Sequence, residues 1–122
     1  MSLAERLKHL AASQAEIEAD EERADQVRAV GCTPVDQLPV RSRARVSGVI
    51  RSVTFRPREG VPALEAELYD GSGTLVLVWL GRREIAGVVP GRRLKAEGLV
   101  CLVDGRRTVF NPGYELRPRP GE

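Results

Sequence analysis

A mainly β fold, a five-stranded barrel preceded by one N-terminal α-helix, is what this sequence of 122 residues predicts. Three observations carry that expectation. Residues 2–29 contain no Gly or Pro and set apolar residues at helical spacing. From residue 40 onward the apolar period shortens to two, the mark of a half-buried strand. The strand-like runs are separated by Gly-bearing turns, with one longer segment at 81–91. The length fits one domain. It divides into a helical arm (1–30), a connector (31–39), a β domain (40–116) and a Pro-rich tail (117–122) expected to be mobile.

The helix opens with Ser2 and Glu5 at capping-box spacing. Leu3, Leu7, Leu10 and Ile17 form its apolar stripe, and Gly31 with Pro34 stops it. Such a stripe packs either on its own domain or on a second copy, giving a homo-oligomer. Residues 31–39, GCTPVDQLP, read as irregular. The first strand, 43–55, carries Gly48 in its middle, where a bulge or bend is expected. After the loop 56–62, ALEAELY alternates strictly: Leu64, Ala66 and Leu68 face the core, and Glu65, Glu67 and Tyr69 face out. DGSG (70–73) is a hairpin turn leading to the third strand, TLVLVWL (74–80). Its Leu75, Leu77 and Trp79 share one face, and Val76, Val78 and Leu80 share the other. Residues 81–91 allow one or two turns of helix. Residues 92–103 form the fourth strand, DGRR (104–107) a second hairpin turn, and 108–112 a fifth strand ended by Pro112. A long bent first strand and a helical link between strands three and four are features of the OB barrel, and an SH3-like barrel normally lacks that link.

Composition narrows the function. There are 19 Lys and Arg against 17 Asp and Glu, so the chain is no polycation. Residues 1–30 are net acidic and the remainder net basic. No apolar run reaches the ~20 residues of a membrane helix, and the N-terminus lacks a signal-peptide core; the expected location is the cytoplasm. One His and two separated Cys offer no metal site, and no catalytic residue or cofactor is assigned: phosphate-loop, HExxH and GxSxG motifs are missing.

DGSGTLVLVWL, PGRRLKAEGLV and FNPGYEL together resemble the OB-fold wedge domain of RecG-type helicases, over Val46 to Leu116. With its GCTPV connector and VWLGRR segment, the whole chain also resembles small stand-alone OB-fold nucleic-acid-binding proteins of actinobacteria. No helicase motor accompanies the domain, and Trp79 is followed by Leu80 where the wedge family often has a second aromatic. The resemblance implies a nucleic-acid-binding OB domain and does not identify a substrate; the function expected of the chain is non-catalytic binding of nucleic acid, DNA ahead of RNA, single-stranded or junction, with little sequence specificity.

OB domains bind on the outer face of strands two and three, between loops 1–2 and 4–5. Arg56 and Arg58 stand in the first loop and Arg106 and Arg107 in the second; Arg82 and Arg83 begin the 81–91 link. These are the expected phosphate contacts, with Phe55 and Tyr69 as stacking platforms. Glu65 and Glu67 work against phosphate on that face. Arg43, Arg45 and Arg51 of the first strand are their expected cross-strand partners. The Asp-Gly-x-Gly resemblance implies that the Leu75 set faces inward, which leaves Val76 and Val78 exposed and in want of a cover; a competing expectation is an assembly module that uses the helix stripe with these two valines.

Overall fold

The computed structural model describes residues 2–4, 15–16 and 31–118. A 3-10 turn at Val35–Gln37 precedes seven strands: β1 (Arg43–Phe55), β2 (Ala63–Tyr69), β3 (Thr74–Leu80), β4 (Arg93–Leu99), β5 (Cys101–Val103), β6 (Arg106–Phe110) and β7 (Gly113–Leu116). They form one sheet in the order β5-β6-β3-β2-β1-β4-β7. All neighbours are antiparallel except β3 and β6, which run parallel. β4 pairs with β1 while β5, one residue further on, pairs with β6. The sheet therefore curls round on itself into a barrel.

The expected count of five strands is corrected to seven. The fourth expected strand is interrupted at Val100, whose N–H donates to the Ser42 carbonyl and whose own carbonyl accepts from Arg41 N–H. Those bonds draw the backbone out of one continuous ladder and split it into β4 and β5. The seventh strand arises because residues after Pro112 turn back and pair with β4. The expected N-terminal helix is not supported. No helix of seven or more residues occurs among the described residues. Such a helix takes its stability from a buried face, yet Leu3 is 73% exposed. Leu7, Leu10 and Ile17 lie outside the described residues. Among the described residues, no helix is long and apolar enough to cross a membrane.

The 81–91 segment folds as successive turns rather than helix. Gly81, Gly87 and Gly91 all have positive φ, which breaks a helical run. Its Ile85 and Val88 still reach the core. The connector is similarly structural: Val35 and Leu38 are both in the core.

β1 bends as expected, but its bulge lies between Ile50 and Ser52 rather than at Gly48. Gly48 has a different role. A Cβ there would sit 2.4 Å from the Tyr69 carbonyl oxygen, so the bent strand passes β2 where only glycine fits. Leu64, Ala66, Leu68, Leu75 and Leu77 fill the barrel, together with Val46, Ile50 and Leu94.

Candidate nucleic-acid interface

Register arranges the outer face of the sheet in rows. Thr54 of β1, Glu65 of β2, Val78 of β3 and Phe110 of β6 lie side by side, and Ser52, Glu67, Val76 and Thr108 form the next row. Each row thus carries one carboxylate beside one valine.

Two arginines cross this face. Arg58, from the loop between β1 and β2, places Nη2 at 3.7 Å from Glu65 Oε2. Its guanidinium carbon is also 5.5 Å from the Phe110 ring centre. Glu65 and Phe110 flank Val78 in the row, so Arg58 lies above β3. Arg106, from the opposite side, brings Nη2 to 3.1 Å from Glu67 Oε1 and crosses β3 as well. Arg56 adds a looser contact, Nε to Glu65 Oε2 at 3.9 Å, with its side chain 64% exposed.

These straps, with Phe110 packed on Ala63, Val76 and Val78, explain the burial of the two valines. Val76 is 3% and Val78 0% exposed, so the expectation that they stand open as an interface is corrected. The partners of the two acids are corrected as well. Glu65 pairs with Arg56 and Arg58 of the β1–β2 loop, and Glu67 with Arg106 at the start of β6. Arg45 pairs instead with Glu97 of β4 at 3.1 Å, because β1 at that height lies against β4. Arg51 places its guanidinium 4.1 Å from the Tyr69 ring centre.

The remaining candidates separate by location. Arg107 turns away from the outer face and donates from Nε to the Leu38 carbonyl at 3.2 Å, tying the connector to the barrel. Arg82 and Arg83 are exposed. Arg83 lies 5.5 Å over the ring of Phe55, itself 45% exposed. Phe55 is in register with Leu64, and Leu64 with Trp79, so this aromatic sits on the barrel's inner side, at its rim. Tyr69 is half-buried with one face taken by Arg51. Trp79 is a core residue, as expected, and its Nε1 donates to the Pro112 carbonyl at 3.3 Å.

Between the straps opens a cleft of about 210 Å³. Arg56, Arg58, Arg106, Glu65, Val76 and Thr108 line it, with Val103 and Asp104 of the β5–β6 hairpin. Thr108 and Asp104 were not among the expected site residues. The available signal was the third strand itself: a continuous apolar run marks a strand covered on both faces, so something had to lie over Val76 and Val78. Chemically, the cleft offers three guanidinium groups, able to grip an anion bidentately, against carboxylates that hold two of them in place.

No family model and no curated protein matches the chain. Among solved structures it is similar to RecG bound to a three-way DNA junction, with a TM-score of 0.59 and 21% identity. The match covers 74% of this chain and 13% of that one. The likeness is one of fold, and it supports the OB-like architecture that the resemblance to the RecG wedge domain implies.

Proposed function

We propose that this chain is a non-catalytic nucleic-acid-binding module that holds phosphates through Arg56, Arg58 and Arg106. The observation that carries the reading is the convergence of arginines from the β1–β2 loop and from the start of β6 over one sheet face, around one cleft. OB folds bind nucleic acid on that face, and the similar RecG structure contains a DNA junction. The partner is DNA ahead of RNA, single-stranded or branched.

Binding here is an exchange. A phosphate competes with Glu65 for Arg56 and with Glu67 for Arg106, so the weakening of an ion pair partly offsets each phosphate bound. The exposed Arg106–Glu67 pair is worth only about 0.2–1 kcal/mol, so the exchange there favours phosphate while limiting affinity. Phe55 with Arg83 at the barrel rim extends the track, one side chain for a base and one for the backbone.

Fluorescence anisotropy with single-stranded DNA, single-stranded RNA, duplex and a three-way junction, at two salt concentrations, tests the reading. The expected result is binding at low salt that falls on a log–log plot by about 0.7 per phosphate contacted on a single strand. Absence of binding to every nucleic acid at low salt overturns it.

A further inference from the structure

The cleft contains an acceptor that nothing in the barrel satisfies. The Glu65 side chain is nine-tenths buried. Its Oε2 is buried and has no hydrogen-bond partner. The guanidinium nitrogens facing it stop at 3.7 and 3.9 Å, beyond the reach of a hydrogen bond. They neutralise the carboxylate without donating to it. A buried charged acceptor left in that condition is costly, and in a native protein it calls for an explanation. The surrounding cleft, at about 210 Å³, has the volume of several waters at about 30 Å³ each. It has an apolar wall at Val76 and a hydroxyl at Thr108.

We propose that Glu65 reads the base of a bound strand, accepting a hydrogen bond from an exocyclic amino group and selecting amino-bearing bases over thymine and uracil. This rests on the nucleic-acid reading above. A carboxylate only accepts, and Glu is a known acceptor for the N4 amino group of cytosine. Thymine and uracil place a carbonyl oxygen at that position, which a carboxylate repels. In a single strand the pairing edges are free to be read in this way. Arg56 is the residue that gives way. It is mostly exposed and makes only the 3.9 Å contact, so a strand's phosphate draws it outward and uncovers Oε2. Arg58, stacked toward Phe110, remains as the counter-charge.

The test compares three strands of equal length by anisotropy: oligodeoxycytidine, oligothymidine, and oligodeoxycytidine carrying N4,N4-dimethylcytosine, which has no amino hydrogen. The cytidine strand is expected to bind roughly tenfold more tightly than the thymidine strand, within the range of one good base contact. The dimethylated strand is expected to fall to the thymidine level. In Glu65→Gln the gap between the cytidine and thymidine strands closes. Equal binding of the cytidine and thymidine strands by the native protein overturns the proposal and leaves the phosphate reading standing, as does full binding of the dimethylated strand. If no strand binds at low salt, both fall. The comparison of strands uses only the native protein, so a poorly folded variant does not remove the test.

Discussion

Glu67 and a bound phosphate compete for the same side chain. Arg106 sits 3.1 Å from Glu67 Oε1, with both side chains partly exposed. Removing the carboxylate leaves Arg106 free and takes one negative charge from the face. Glu67→Gln is therefore expected to tighten single-strand binding, by up to about fivefold at low salt, the equivalent of an exposed pair worth at most about 1 kcal/mol. Anisotropy at rising salt checks this: the advantage fades as screening grows, and weaker binding by the variant sinks the exchange mechanism. The acids were visible in the sequence as an obstacle on the binding face. Their partners were not, because parity along a strand tells which face a residue takes and nothing about which loop folds over that face. Val76 and Val78 make the same point. Alternation placed them opposite Leu75 and Leu77, and they are opposite. Their burial depends on Arg58 and Phe110, which approach from 18 or more positions away in sequence.

At the level of elements, turns were legible and long-range joints were not. The DGSG segment forms the β2–β3 hairpin, and Asp70 organises it. Its Oδ1 accepts from Ser72 N–H at 2.9 Å, Ser72 Oγ at 2.7 Å and Gly73 N–H at 3.1 Å. Its Oδ2 accepts from the Val35 N–H at 2.9 Å. The first three bonds follow from the local motif. The fourth joins the turn to the connector, and no periodicity announces it. Asp70→Asn keeps the shape but converts one oxygen into a donor. Whichever way the amide turns, at least one backbone N–H then faces another N–H. The expected cost is about 1–3 kcal/mol, read as a lower urea midpoint; an unchanged midpoint contradicts the assignment of Asp70 as the joint. The hairpin Asp104–Gly105, with both φ values positive, is the DG turn that its sequence advertises. The break at Val100 and the late strand β7 had no comparable signal, since each is made by pairing with a distant segment.

For the whole molecule, the connector belongs to the core. Val35 and Leu38 are 1% and 2% exposed, and burial of such side chains contributes about 1.5–3 kcal/mol each. Small domains have only about 5–15 kcal/mol in total. A chain starting at residue 40 is therefore expected to melt far below one starting at residue 31, a comparison that thermal denaturation followed by circular dichroism makes directly. Equal melting temperatures contradict the packing described.

The parallel pairing of β3 with β6 has a further consequence, for the nascent chain. Translation completes β3 well before it reaches β6, and in the interval β3 has a partner on one side only. Val76, Leu77 and Val78 then present an open backbone edge until Thr108, Val109 and Phe110 emerge to pair with them. An unpaired apolar edge is a template for other chains.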